Sequence, residues 1–330
     1  MTTLVTGAGL LGRLIARQLV EQGERVLLAD VRRPPPRELD GLPLELCDVT
    51  DWEGLCGLIK RNGVRSIAHT AAMLTPAIHR DPLAGVRVNV MGTAHVLEAA
   101  RRFELGRVVI ASSTTVMYSA FSSLPFEPIG EDFTYRIVSE RPGSIYAVTK
   151  VAGEHLALAY AQLHGVDAVV LRIGAVLGVG AEAASSVPGQ MIECLLQAGR
   201  AGKPARFENP NLLWGGQEEF VDARDCAAAH VAALHAKAPM QRIYNIGTGR
   251  AHTFEELLEM VRRHYPKLGV VDLQLPAGGF SGFPHQRPAA SDVSAARREL
   301  QFRAAYSLQD TIEHLAAIQG HRDQEGEPGA

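Results

Sequence analysis

The sequence is poor in cysteine, has no excess of charge of one sign and holds few aromatic residues, and each shortage removes a class of protein. Four cysteines in 330 residues, Cys47, Cys56, Cys194 and Cys226, form no C-x-x-C pair. Neither a disulfide framework nor a zinc site is expected, and the thiols suit a reducing compartment. Lys and Arg number 33 against 36 Asp and Glu, a formal net charge of −3 without a basic block. Nothing here tracks nucleic acid or an anionic membrane, so a small-molecule partner is expected. No apolar run reaches the ~18 residues of a membrane span; the longest, 166–180, is interrupted by Asp167 and Arg172. The chain starts without a basic, cleavable leader pattern, which makes the cytoplasm the expected location. Twelve histidines show no H-E-x-x-H spacing; no metal is expected, and His155 beside Glu154 reads as a helix-surface pair.

What is present fits a globular protein. Hydrophobic residues make up 46% and charged residues 21%, close to the globular average and enough for a core without staples. Short β-branched runs alternate with helical patterns in the first half, the signature of a parallel sheet built from βαβ units. The runs are Thr3 to Thr6, Arg25 to Ala29, Leu44 to Leu46, Ser66 to His69, Val108 to Ala111 and Val169 to Ile173. Helices are expected from Leu11 to Gln22, from Asp81 to Arg102 with Asp81 as cap and Pro82 in the first turn, and from Ser144 to Leu163. After Gly174 glycine and proline become frequent, and Arg242 to Ile246 reads as a strand returning to the main sheet before a helix opening at Thr253. The expectation is a doubly wound Rossmann-type α/β domain over 1–174, completed by about 217–250. A discontinuous substrate-binding region then covers 175–216 and 251–320, with a flexible tail at 321–330.

Gly7-Ala8-Gly9-Leu10-Leu11-Gly12 follows the first strand and opens a helix. Small residues there let the backbone turn tightly and bring amides and the helix N-terminus against a pyrophosphate. Asp30 ends the second strand 18 residues beyond Gly12, where a carboxylate receives ribose hydroxyls and repels a 2′-phosphate, favouring NAD over NADP. Arg32 and Arg33 pull the other way, since guanidinium groups hold phosphates. Tyr146 and Lys150 are four apart on a helical pattern and share one face. A free phenol with a pKa near ~10 is a poor base, and a neighbouring ammonium lowers it. Ser112-Ser113-Thr114-Thr115 follows a strand at the end where open α/β sheets bind ligands. The long aromatic segment Phe121 to Arg141 lies between Ser113 and Tyr146 and is expected to carry part of the substrate selectivity. Trp214 and Phe207 line a pocket or form a small core; the residues alone leave both open.

These residues resemble the extended short-chain dehydrogenase/reductase family, also called the NAD-dependent epimerase/dehydratase family. The resemblance runs through Val5 to Gly12, Cys47 to Asp51, His69 to Ala72, Asn89 to Thr93 with Val96 to Ala100, Ser112-Ser113, and Tyr146 to Lys150. It continues through Leu171 to Gly174, Phe220 to Asp225, Tyr244 to Gly249, and Asp292 to Leu300. It implies Tyr146 as acid/base, Lys150 as its electrostatic partner and ribose ligand, and Ser113 as the hydroxyl that polarises the substrate oxygen, with Thr114 as its backup. Asp48 and Val49 would meet the adenine, Ala71 and Ala72 would lie along the cofactor, Asn89 would support the site, and the stretch from Ile173 to Val176 would lie near the nicotinamide. Met73, Thr114, Thr115, Gly174 and Arg287 are implied on the substrate side. A homodimer through helices 81–102 and 144–163 is also implied.

Departures from the pattern refine the expected activity. The glycine turn is one residue shorter than in many members. Ser113-Thr114-Thr115-Val116 lacks the Asp-Glu pair of the 4,6-dehydratases, which argues against dehydration. Where sugar-nucleotide members carry Arg-Asp before Phe-Val, this chain has Glu218-Glu219 before Phe220; two carboxylates facing a diphosphate would repel it. Arg287, at the place of a second phosphate-binding arginine, argues for the sugar nucleotide. The expected activity is NAD-dependent hydride transfer at a secondary carbinol of a small sugar, sugar acid or hydroxy acid. The alternatives are a nucleotide-sugar epimerase, such as one acting on UDP-glucose, and a non-catalytic NAD(H) sensor. There is also a loose likeness to single-domain threonine dehydrogenases of the family, in His69 to Leu74 and Tyr146 to Glu154.

Overall fold

The computed structural model describes residues 2–135, 138–140, 142–178 and 186–324, with side chains described as far as residue 318. The chain runs through β1 (Thr2–Thr6), α1 (Leu10–Glu21), β2 (Arg25–Asp30), α2 (Pro36–Leu39), β3 (Leu44–Leu46), α3 (Trp52–Asn62) and β4 (Val64–His69). It continues with α4 (Thr75–Arg80), α5 (Pro82–Val86), α6 (Gly92–Arg102), β5 (Val108–Ser113), α7 (Ile145–His164) and β6 (Ala168–Ile173). The last third holds β7 (Ala175–Leu177), α8 (Val187–Arg200), β8 (Phe220–Asp222), α9 (Ala223–His235), β9 (Ile243–Ile246), α10 (Phe254–Arg262) and α11 (Leu308–Gln324).

Among the described residues the main sheet has seven strands in the order β3-β2-β1-β4-β5-β6-β9, all neighbours parallel. β1 and β6 are buried along their whole length, as strands covered on both faces must be. Leu55, Val96, Leu97 and Ala157 cover one face from α3, α6 and α7. Ile15, Leu19, Cys226 and Ala229 cover the other from α1 and α9. This is the Rossmann-type doubly wound fold. β9 pairs with β6, so the chain returns to the main sheet after an excursion. That excursion builds a separate aromatic core in which Trp214 is fully buried against Phe220, Phe254 and Phe280. Trp214 is therefore core, and Phe207 packs edge-on against Phe254 beside it.

Two expectations need correction. The helix expected over Asp81 to Arg102 is interrupted: Asp81 caps α5 by accepting from the Ala84 amide at 2.9 Å, and Arg87–Met91 then forms a π turn before α6. The Thr93 hydroxyl donates to the Asn89 carbonyl at 2.7 Å inside that turn, a local side-chain competition for a helical acceptor. The tail expected to be loose from 321 is helical as far as Gln324, where α11 ends; residues 325–330 lie outside the described residues.

The chain order reverses between β1 and β4, the switch point at which ligands bind in such sheets. The turn after β1 and the segment after β4 meet there. Gly7 has φ +88°, and a Cβ on it would stand 2.7 Å from the Ala71 amide nitrogen. A Cβ on Gly12 would overlap the Gly7 carbonyl oxygen. Gly12→Ala is therefore expected to cost about 1–3 kcal/mol or more through overpacking and to weaken cofactor binding. Urea unfolding and NAD titration of the variant check it, and wild-type values in both would refute the packing argument.

Candidate active site

At the switch point the backbone is prepared for an anion. α1 opens at Gly9 without a side-chain cap, and a Cβ on Gly9 would meet nothing within 4 Å, so the N-terminal amides beside Leu10 and Leu11 face open space. Asp30 at the end of β2 accepts from the Ala8 amide at 2.7 Å and from the Arg32 amide at 3.0 Å. Arg33 is turned back, donating to the Leu44 carbonyl at 3.2 Å. Asp48 is exposed, with Oδ1 accepting from the Thr50 amide and hydroxyl, while Val49 is buried under α6 against Gly92. Ala71, Ala72 and Met73 are half-buried along the segment after β4, and Thr70 ties that segment to the glycine turn through the Thr6 carbonyl at 2.8 Å. Gly178 lies against Leu10 on the other side, so the stretch from Ile173 through β7 passes over the turn.

The second group stands at the end of β5. Ser113, its last residue, is half-buried and accepts from the Thr115 amide at 3.2 Å, with its hydroxyl close enough to the Tyr146 phenol to favour the phenolate. Ser144 caps α7, which places Tyr146 in the first turn and Lys150 one turn on, with Nζ 5.6 Å from the centre of the phenol ring. The Lys150 ammonium donates to the Ala111 carbonyl of β5 at 2.8 Å. Burial pushes the Tyr146 phenol up to about 12, and the hydrogen bond from Ser113 offsets only part of the shift. The expected lowering by Lys150 is outweighed: the ammonium is held at the Ala111 carbonyl, and desolvation dominates the phenol. Burial also brings Lys150 down to about 8, with Glu154 acting in the opposite direction.

Asn89 shows what the π turn is for. Buried, it accepts from the Met73 amide at 2.8 Å and donates to the Met73 carbonyl and the Thr149 hydroxyl, each at 3.0 Å. One amide thus clips the segment after β4 to the helix of Tyr146 and Lys150. Such single π turns frequently sit at functional sites. Asn89 thus holds the segment after β4 against α7.

The substrate-side residues divide. Thr115 is half-buried, its hydroxyl without a partner, and Gly174 donates from its backbone to the Ile246 carbonyl at 3.0 Å. Thr114, by contrast, is buried at 1% exposure. Arg287 is also withdrawn. Its Nε donates to Glu218 at 2.9 Å, its Nη1 reaches Glu219 at 3.5 Å, and all three side chains are 0–1% exposed. Tyr118 donates to Glu218 at 2.7 Å, and Glu219 also accepts from the Gly249 and Ser291 amides. Glu218 and Glu219 therefore neither face nor repel a substrate, and Arg287 is not presented as a phosphate ligand; a buried charge stays only where it is paired. The aromatic segment is anchored as well: Phe121 is buried and Phe133 lies under the Arg172 guanidinium, while 136, 137 and 141 lie outside the described residues.

One buried cluster lies outside these expectations. Glu154 is no surface partner of His155: it is 2% exposed and bound to Arg172 of β6 by Nε at 2.9 Å and Nη2 at 2.7 Å. Ser112 donates to the same carboxylate at 2.6 Å. An arginine inside an otherwise aliphatic strand was the available signal, because such a charge needs a partner.

Residues 3–247 match the model of the NAD dependent epimerase/dehydratase family. The chain belongs to this family. Within it, the bovine mitochondrial L-threonine 3-dehydrogenase is 26% identical over 322 residues, covering 96% of this chain and 82% of that one. The L-threonine dehydrogenase structure from Clostridium difficile superposes with a TM-score of 0.82 at 20% identity, covering 97% and 98% of the two chains. The Thermus thermophilus UDP-glucose 4-epimerase complex with NAD gives 0.73 at 25% identity, covering 96% and 98%. As a member of this family the chain is an NAD-dependent enzyme of the extended short-chain dehydrogenase type.

Two buried histidines flank the site. His69 Nδ1 lies 2.7 Å from the Thr6 hydroxyl and Nε2 3.1 Å from that of Thr93, and burial holds it down to about 3. His230 of α9, 2.8 Å from the Cys226 carbonyl, is held down to about 4 for the same reason. Both start from an ordinary value of 6.5. Between the folded and ordinary values the unfolded chain binds more protons, so stability must fall as pH drops through that window, by up to ~1.4 kcal/mol per pH unit per histidine. Denaturant midpoints at about pH 7.5 and 5 check this; His230→Leu should flatten the slope, and equal slopes would refute its share.

Proposed function

We propose that this chain oxidises the secondary carbinol of a small hydroxy acid, sugar acid or sugar with NAD. In this reading Tyr146 is the acid/base, Lys150 its electrostatic partner and Ser113 the holder of the reacting oxygen. The observation that carries the reading is the placement of Ser113 at the end of β5 beside Tyr146 and Lys150 of α7, with Lys150 tied to the Ala111 carbonyl of the same strand at 2.8 Å. The dinucleotide fits the residues present: the uncapped start of α1 and the space above Gly9 suit a pyrophosphate, and Asp30 suits a ribose. When bound, NAD supplies the acceptor for the hydride leaving the carbinol carbon. Ser113 donates to the carbinol oxygen and orients it, and Tyr146, in its phenolate form, takes the hydroxyl proton and becomes the neutral phenol. Because burial holds the phenol high, that transfer depends on a positive charge at Lys150, which a group near 8 keeps at neutral pH.

A small substrate is favoured over a nucleotide sugar because Arg287 is paired with two carboxylates inside the protein. The named threonine dehydrogenases point to the same class, since threonine is a β-hydroxy acid. NAD is favoured over NADP because Asp30 stands at the end of β2 and Arg33 is turned to Leu44. The reading also includes a homodimer, supported by the exposed apolar residues Leu83, Val86 and Met91 beside Val148 and Leu158 of α7.

Absorbance at 340 nm with NAD and then NADP, over hydroxy acids including L-threonine, sugar acids and sugars, should show net reduction of NAD. A parallel assay on UDP-glucose should show no epimer; epimer without net NADH would overturn the dehydrogenase reading. Tyr146→Phe should retain NAD binding and lose roughly 10²–10⁴-fold in turnover; unchanged turnover would remove Tyr146 from its role. Met91→Asp should shift the sedimentation coefficient from dimer to monomer, and a wild-type value would refute this interface.

A further inference from the structure

Ala8, in the middle of the glycine turn, is held at both ends by groups of opposite charge. Its amide donates to Asp30 Oδ2 at 2.7 Å, and its carbonyl accepts from Arg13 Nη1 at 2.6 Å. Arg13 follows Gly12 on α1, and its Nη2 forms an ion pair with Glu38 Oε2 in which the two side chains are 12% and 7% exposed. Glu38 comes from α2, the short helix that follows β2 and the loop of Arg32 and Arg33. One turn further along α1, Arg17 donates to the Glu38 carbonyl at 3.2 Å and meets Asp40 at 3.5 Å. Both arginines of α1 are thus turned towards α2.

We propose that Glu38 is a specificity-determining residue for the dinucleotide: by pairing with Arg13 it keeps the base of the adenosine-ribose subsite from gaining a second cation, and so keeps out a 2′-phosphate. This rests on the placing of the ribose at Asp30 given under Proposed function.

The argument is one of charge and distance. A single residue, Ala8, separates the Arg13 guanidinium from the Asp30 carboxylate, close enough for the charge to be felt at the subsite. Arg32 is exposed on the other side of the same carboxylate, its amide 3.0 Å from Oδ1. Guanidinium groups are the natural ligands of a phosphate. With Arg13 unmasked beside Arg32, the subsite would carry two of them against one carboxylate; with Glu38 in place it carries one. Packing alone does not call for a carboxylate at this position. Glu38 Oε1 is buried without a partner among the described residues, so half of the group's bonding capacity goes unused where burial makes that costly. What the carboxylate contributes, and a neutral side chain of the same shape would not, is its charge against Arg13.

The test reads binding and needs neither substrate nor turnover. Affinities of the full-length protein for NADH and NADPH are measured by nicotinamide fluorescence, and the wild type should bind NADH more tightly. Glu38→Gln should tighten NADPH about three- to tenfold while leaving NADH within about twofold, and the gain should shrink as ionic strength rises. Adding Arg13→Met to Glu38→Gln removes the unmasked charge and should return the ratio of the two affinities to its wild-type value. Should Glu38→Gln fail to fold, Glu38→Ser, which lets water reach the guanidinium, should move the ratio in the same direction. An unchanged ratio in a folded Glu38 variant, or an equal loss of both nucleotides, would overturn the proposal and leave the reading of Asp30 standing. A wild-type chain that binds NADPH as tightly as NADH would overturn that reading, and this proposal with it.

Discussion

A parallel sheet covered on both faces has no polar side to spare, and everything chemical in this protein follows from that constraint. Backbone amides and carbonyls are consumed within the ladders, and the faces are sealed by helices α1 and α9 on one side and α3, α6 and α7 on the other. Polar groups can gather only where the strands end. The close approach of Gly7 and Gly12 to each other and to Ala71 makes the ends of β1 and β4 a shared floor. The end of β5 supplies the second wall. A side chain on either glycine would push these walls apart.

The charged residues inside the protein are arranged to hold those walls in place. Two buried arginines, Arg172 and Arg287, each find carboxylates, and each group ties a segment outside the sheet to a strand end or to the loop beside it. The Arg172 group locks β5, β6 and α7 together; the Arg287 group fastens the segment after β5, through Tyr118, to the entry of β8. The desolvation cost of each charge is offset only when all its partners are present, so these clusters specify one arrangement of the site. Asn89 does the same with a neutral amide, at the cost of a π turn in its helix.

Much of this was legible in the residues. The strands, the glycine turn and its acidic partner announce themselves through local periodicity and spacing, because a βαβ unit is built from contacts close in sequence. Tyr146 and Lys150 share a helix face by simple arithmetic. Ser113 ends a strand, as the run before it indicated. What stayed hidden involves partners further apart in the chain: Glu154 with Arg172 on the next strand, Glu218 and Glu219 with Arg287 some 70 residues on, and Tyr118 with Glu218 behind the site wall. Read as a row of charges, Glu218-Glu219 suggests repulsion; folded, it is the neutralising half of a buried cluster.

The sequence by itself determined the fold class, the tight glycine turn and the shared helix face of Tyr146 and Lys150, since each is written in spacings of a few residues that fix local geometry. Only the tertiary structure decided which charges are free to meet a ligand and which are spent within the protein. Burial and pairing depend on what the whole fold brings alongside. The same guanidinium is a phosphate site when it faces the cleft and a structural counter-ion when two glutamates close over it.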